Sequence, residues 1–233
     1  MKHNGKAARS ALKMNGMSLA AVGLLLVAAF LGKVIGTFVL DDLAWVLAGL
    51  WVLFALFTFY FFRDPNPMTP SGPNLVVSPG HGKVDTIDTI EGNEFMEGRC
   101  RRISIFLSVF DVHVQNSPVT GVVGYFRHTP GQYLNAMRTD CAQYNENVLI
   151  GIQTVENGRA RVGVRLIAGL IARRIVPWVN MNETVMRGER IGLIQFGSRV
   201  DLYLPLDSVV KVHLGDKVVG GTTVLAELSA NHG

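Results

Sequence analysis

The chain has 233 residues, 48% of them hydrophobic, and 22 Lys and Arg against 18 Asp and Glu give a formal net charge of +4. That length holds one domain or two small ones, and the positive mean hydropathy exceeds what a wholly soluble domain needs. The charge excess lies entirely in residues 1–16, where Lys2, Lys6, Arg9 and Lys13 stand with no acidic residue. The balanced remainder argues against nucleic acid as a partner, since such a face spreads Lys and Arg over the folded domain.

The basic tail, residues 1–16, suits an anionic membrane surface. Behind it run two apolar stretches, Met17 to Leu40, interrupted only by Lys33, and Leu43 to Phe62, which has no charge. Each reaches the roughly twenty residues that a helical span requires. Residues 17–62 are therefore predicted to form a two-helix membrane hairpin with Asp41-Asp42 as its tight connection. Positive flanks stay inside, so the tail and the segment after Arg63 are expected on the cytoplasmic side of the cell inner or plasma membrane. A cleavable signal peptide explains less, because no small-x-small site follows and the second apolar stretch would be left over.

Residues 63–74, rich in Pro and Gly, read as a linker that no helix or central strand would contain. From Leu75 to the C-terminus, apolar runs of four to seven residues alternate with Gly, Asn, Asp and Pro. This pattern predicts a mainly β, barrel-sandwich-like domain over residues 75–233. Phe110 to Asn116 reads as a turn or short helix, and Ile167 to Val176 as either helix or strand. The segments Val185-Met-Arg-Gly-Glu-Arg-Ile-Gly192 and Val212-His-Leu-Gly-Asp-Lys-Val-Val-Gly220 echo each other and read as hairpin turns. The second is similar to the closing hairpin of biotinyl and lipoyl carriers, but Lys211 and Lys217 sit outside any carrier tip, so the echo is read as shared architecture. Cys100 and Cys141 make no framework and read as free thiols in a reducing compartment. His3, His128, His213 and His232 show no metal-ligand spacing, and no metal is predicted.

One dipeptide stands out. Gly197-Ser198 lies between two apolar runs, with Ile191, Leu193 and Phe196 before it and Val200, Leu202 and Leu204 after it. A serine hydroxyl directly after a glycine carbonyl can attack that carbonyl if the fold strains the peptide and a base removes the proton. The surrounding Phe-Gly-Ser-Arg-Val is not a Gly-x-Ser-x-Gly elbow of an ordinary serine hydrolase.

Other motifs in the same chain, in order, are Phe61-Phe-Arg-Asp-Pro65, Val77-Ser-Pro-Gly-His-Gly-Lys-Val84, Phe106-Leu-Ser-Val-Phe-Asp-Val-His-Val-Gln-Asn-Ser-Pro118, Pro130-Gly-Gln-Tyr-Leu-Asn-Ala136, Asn145-Glu-Asn147 and Ala168-Gly-Leu-Ile-Ala-Arg-Arg174. With Phe196-Gly-Ser198 they resemble the phosphatidylserine decarboxylase family, in its short membrane-anchored, archaeal-type branch. The resemblance implies a proenzyme that cuts itself between Gly197 and Ser198, leaving a β chain to residue 197 and an α chain of residues 198–233. Ser198 then becomes a pyruvoyl group, the only cofactor implied. This group condenses with the substrate amine and takes up the electrons released with CO2. Phosphatidylserine, or a related serine phospholipid such as archaetidylserine, would lose CO2 to give the ethanolamine lipid. Partners implied are the membrane, the serine phospholipid and the two chains of one proenzyme; an oligomer is compatible with this reading.

His113 is the candidate general acid and base, since imidazole both takes and returns a proton near neutrality, and Asp111 is a candidate to orient it. Longer members carry a second His three residues on, where this chain has Asn116. The family's Ser-Pro-x-Asp-Gly-x-Val reads Ser78-Pro-Gly-His-Gly-Lys-Val84 here, so the implied Asp of the self-cleavage triad is replaced by His81. Either His81 takes a related role, or Asp85, Asp88 or Asp111 supplies the carboxylate, or self-processing is slow or lost. The last case describes an unprocessed, inactive relative serving as a lipid-binding or scaffold protein. Arg173 and Arg174 read equally as contacts to a lipid phosphate and as a solvated basic pair.

Overall fold

The computed structural model describes residues 5–34, 38–132, 144–155, 160–169, 174–195 and 198–229. The chain divides into two compact units, one of Gly5–Asp64 and one containing Pro65–Gly233. Cys141, Arg173, Phe196 and Gly197 lie outside the described residues.

The first unit is a pair of helices, α1 (Lys6–Val34) and α2 (Phe38–Phe61). Each is long and apolar enough to cross a membrane, since a helix rises about 1.5 Å per residue and a hydrocarbon core is about 30 Å thick. They run antiparallel and share two side-chain hydrogen bonds, Thr58 Oγ1 to Asn15 Oδ1 at 2.6 Å and Trp51 Nε1 to Ser18 Oγ at 2.8 Å. Polar bonds of this kind join helices where apolar packing alone does not favour association. Leu24, Phe30, Trp45 and Leu53 are largely exposed. Two sequence expectations change here. Lys6, Arg9 and Lys13 belong to α1 itself, and Asp41-Asp42 belongs to the first turns of α2.

The second unit is built of β1 (Leu75–Val77), β2 (Gly82–Ile90), β3 (Cys100–Leu107), β4 (Val114–Asn116), β5 (Gly121–Thr129), β6 (Asn147–Thr154), β7 (Arg161–Ala168), β8 (Arg174–Pro177), β9 (Thr184–Val185), β10 (Arg190–Gln195), β11 (Ser198–Leu204), β12 (Val209–Val210), β13 (Lys217–Val218) and β14 (Val224–Glu227). Eight of them form one curled sheet in the order β13-β2-β3-β11-β7-β6-β5-β9, and two three-stranded sheets, β4-β10-β8 and β1-β14-β12, complete the unit. Alternate residues of the central strands, among them Ile103, Ile105 and Leu107, Val162, Val164 and Leu166, and Val200, Leu202 and Leu204, fill one continuous apolar core. The period of two that places every second side chain on one face explains why the strand runs were readable. The opposite face of the sheet is covered in part by Phe95 and Met96, which pack on Leu149 and Tyr203. Gly151 makes room for that cover, because a Cβ there would sit 2.5 Å from the Phe95 ring.

The two echoing segments make the same turn. Glu189 Oε2 accepts from the Met186 amide at 2.9 Å and Asp216 Oδ2 from the His213 amide at 2.8 Å, with Gly188 and Gly215 at positive φ. The expected hairpins are nevertheless corners. β9 pairs with β5 while β10 pairs with β4 and β8, and β12 pairs with β14 while β13 pairs with β2. Each turn therefore hands the chain from one sheet to another. The segment read as a linker is also pinned from Pro65 onward. Arg187 donates to the carbonyls of Gly72 and Leu75, and the fully buried Arg190 to Asn66 Oδ1 at 3.0 Å.

Candidate active site

Ser198 is the first residue of β11, the strand at the middle of the large sheet. It lies between Leu107 of β3 and Ala168 of β7. Strand alternation turns its side chain to the same face as Val200, Leu202 and Leu204. The residue is fully buried, and among the described residues its Oγ makes no hydrogen bond. A buried hydroxyl without a partner costs about 1–3 kcal/mol, so this is a place where the fold carries a polar atom that packing alone does not explain.

Several of the motifs scattered along the sequence meet near this strand end. The Asn145-Glu-Asn147 turn is fastened to Ala168, with Asn145 Nδ2 donating to the Ala168 carbonyl at 2.7 Å and the Ala168 amide to the Glu146 carbonyl at 2.9 Å. On the other side, Gly80 packs against Val200 and Leu107, and Gly82 lies so close to the Phe106 carbonyl that a Cβ would stand 2.1 Å from its oxygen. The Ser78 hydroxyl closes that loop on the Gly80 carbonyl at 2.6 Å. Neither Asn145 nor Ala168 was singled out by residue chemistry. Both lie in motifs of the resemblance, which was the only signal for them.

His113 stands just before β4 and is fully buried. Its carbonyl accepts from the Ile194 amide at 3.2 Å and its neighbour Val114 is registered on Leu193, so it lies alongside the end of β10 that leads into Ser198. His113 Nδ1 is 2.9 Å from the Asp111 carbonyl oxygen. A carbonyl can only accept, so Nδ1 carries the proton and Nε2 is the basic nitrogen of the neutral ring. Asp111 thus reaches the ring through its backbone, while its carboxylate caps the turn by accepting from the Ser108 amide and hydroxyl, both at 2.8 Å.

His81 lies at the other end of β4. The Asn116 amide donates to the Pro79 carbonyl at 2.8 Å, and a Cβ on Gly220 would stand 2.9 Å from both His81 Cδ2 and Asn116 Oδ1. His81 and Asn116 therefore flank the same glycine, about 10 Å along β4 from His113 at roughly 3.3 Å per residue. The two departures from the family pattern are spatial neighbours.

Asp85 and Asp88 are engaged elsewhere. Asp88 holds Arg102 through two bonds of 2.9 and 2.5 Å, and Asp85 holds Arg199 at 2.9 Å. Arg199 follows Ser198 on β11 and so projects from the opposite face, where Asp201 and Tyr203 also lie. Burial, with Asp201 adding to it, pushes the Asp85 carboxyl above the usual range although Arg199 pulls the other way. Burial beside Asp201 likewise pushes the Tyr203 phenol up, and burial raises the Cys100 thiol, which leaves it a packed side chain rather than a nucleophile.

The sequence profile described as phosphatidylserine decarboxylase matches residues 54–226. A phosphatidylserine decarboxylase proenzyme of Desulfotalea psychrophila is 44% identical over 183 residues, covering 78% of this chain and 85% of its own length. A phosphatidylserine decarboxylase proenzyme of Symbiobacterium thermophilum is 46% identical over 195 residues, covering 84% and 88%.

Proposed function

The chain belongs to the phosphatidylserine decarboxylase family, and on that premise we propose that it cuts itself between Gly197 and Ser198 and then decarboxylates phosphatidylserine, or a closely related serine phospholipid, to the ethanolamine lipid. It is a pyruvoyl-dependent carbon–carbon lyase made as a proenzyme. The observation that supports the position of the cut is the buried Ser198 hydroxyl, without a hydrogen-bond partner among the described residues, at a strand end where several of the family motifs meet.

In the proposed maturation, Ser198 Oγ attacks the Gly197 carbonyl as His113 Nε2 takes the hydroxyl proton. The Gly197–Ser198 amide becomes an ester to Oγ with a free amine on Ser198. Loss of the Ser198 α-proton then expels Gly197 as a carboxylate, and water replaces the nitrogen, which leaves as ammonia. The α-keto amide so formed supplies an electron sink for the departing CO2. The chain's own task afterwards is to hold that terminus at the β3/β7 junction and to return a proton to the substrate carbon, the role this reading gives His113. The dry apolar lining around Ser198 strengthens the electrostatic interactions that the reaction uses.

Two apolar helices, the first with a basic start, agree with membrane attachment, and the charge bias favours a β unit on the cytoplasmic side. Such a tether keeps the site near head groups. Intact mass is the test. The wild-type chain should give two pieces, the smaller of 36 residues, blocked to Edman degradation and sensitive to borohydride, while Ser198→Ala stays whole and inactive. A full-length wild-type chain that still decarboxylates the lipid would overturn the mechanism.

A further inference from the structure

After a cut before Ser198, the reactive terminus is the free end of a strand, and nothing covalent holds it in place. The charged face of β11 bears on that problem. Arg199, only 2% exposed, reaches across β3 to the β2 strand, where its Nη2 donates to Asp85 Oδ1 at 2.9 Å and to Thr86 Oγ1 at 3.0 Å. Its Nε is also 3.4 Å from Asp201 Oδ1, on its own strand. The contacts to Asp85 and Thr86 run between the two pieces that the cut would create, since β2 belongs to the N-terminal piece and β11 opens the C-terminal one.

We propose that Arg199 is a positioning residue, a clamp that fixes the new terminus one residue away by ion-pairing and hydrogen-bonding it to Asp85 and Thr86 of the other chain. This inference rests on the cut at Gly197–Ser198 proposed above. The main-chain ladder to β3 and β7 holds the body of β11, but the first residue of a strand frays most easily. One guanidinium nitrogen, Nη2, donates to two acceptors on the other chain while Nε faces Asp201 on its own strand, and two charge-assisted bonds converging on one group fix the position of the residue beside the terminus. In the uncut chain the peptide bond does the same work, so the clamp matters chiefly after maturation. Reactivity depends on holding the reacting atoms within a narrow range of positions, and small misplacements cost rate without weakening substrate binding.

The test uses the full chain in detergent–lipid micelles, with Asp85→Asn, Arg199→Met and Arg199→Lys scored for cutting by intact mass and for kcat and KM on phosphatidylserine. Asp85 lies on the partly exposed edge of the pair, with its side chain 28% accessible, so Asp85→Asn keeps the test decisive if Arg199→Met does not fold. Asp85→Asn and Arg199→Met should still be cut, with kcat lowered about tenfold or more and KM within about twofold, and Arg199→Lys should recover part of the loss. The shift in melting temperature caused by Asp85→Asn should also be less favourable in the cut enzyme than in the uncut Ser198→Ala background. Cut variants with wild-type kcat, or an Asp85→Asn effect equal in cut and uncut chains, would overturn the clamp alone. A wild-type chain that is not cut before Ser198 overturns the reading of the site and the clamp with it.

Discussion

The two faces of β11 carry opposite kinds of physics within seven residues. On one, Ser198 precedes Val200, Leu202 and Leu204 into an apolar core; on the other, Arg199, Asp201 and Tyr203 enter a buried polar network with Asp85 and Thr86. Both faces are closed to solvent, yet among the described residues Arg199 on the charged face bonds to side chains of a nearby strand whereas Ser198 Oγ on the other has no partner. The contrast suggests a division of labour, in which the apolar face leaves a hydroxyl untied and dry while the charged face fixes where that hydroxyl sits. A strand with polar partners on both faces would hold Ser198 in a ground-state hydrogen bond; one with none would let its end wander.

Removing the proton acceptor on the apolar side should have the largest effect. His113→Ala is expected to slow cutting by about 10²–10⁴-fold, the usual contribution of a positioned acid–base group, as read by the time course of fragment appearance after synthesis. Fragments forming at the wild-type rate would show that the buried imidazole is not the acceptor.

The two faces should also differ in how they fail. Asp201→Ala leaves Arg199 with a buried charge less well compensated and is expected to cost about 3–5 kcal/mol. Leu202→Ala, a plain cavity on the apolar side, is expected to cost about 2–5 kcal/mol. Denaturant unfolding measures both. The sharper expectation is that Asp201→Asn, which keeps the volume and removes the charge, recovers little of the loss, whereas Leu202→Met recovers most of it. If the two rescues were equal, the charged face would be ordinary packing. Tyr203→Phe should be smaller still, about 1 kcal/mol, because its 3.3 Å bond to Asp201 Oδ2 is long.

Much of this was legible in the sequence, and the part that was not has identifiable causes. The long core strands announced themselves through alternating Val, Ile and Leu. β4 did not, because Gln115 and Asn116 are polar residues buried within it, and a three-residue strand offers no period to read. β8 resolves the open reading of Ile167 to Val176 in favour of strand at Arg174–Pro177, beside β10. The repeated Val-x-x-Gly-acid segments were readable as turns, but whether the flanking strands pair with each other or with distant partners is a tertiary matter that local chemistry does not encode. Ser198 was visible from its glycine and its flanking runs. Arg199 and Asp201 were not, since a charged residue alternating in a strand reads as solvent-facing. Here the loop carrying Phe95 and Met96 helps to cover that face, an arrangement set by residues far away in sequence. The same distance hid that His81 and Asn116 both border Gly220.

The smallest expected effect is also the one whose sign separates the faces most cleanly. Asp85 shares one guanidinium with Asp201, and burial leaves its carboxyl above the ordinary aspartate range in the folded protein. The folded state therefore binds the Asp85 proton more tightly than the unfolded chain does. By linkage, stability then falls as pH rises from the ordinary aspartate value through the raised one, and is flat with respect to this group above and below that window. Asp85→Asn should remove that falling limb and leave the rest of the pH dependence unchanged, as followed by urea midpoints across the acidic range. The apolar-face residues of β11, Ser198, Val200, Leu202 and Leu204, carry no acidic or basic group, so Leu202→Ala should lower the whole curve without altering its shape. A limb that persists in Asp85→Asn would assign it to another carboxylate, and a limb of the opposite slope in the wild type would mean that Arg199 outweighs burial at this site.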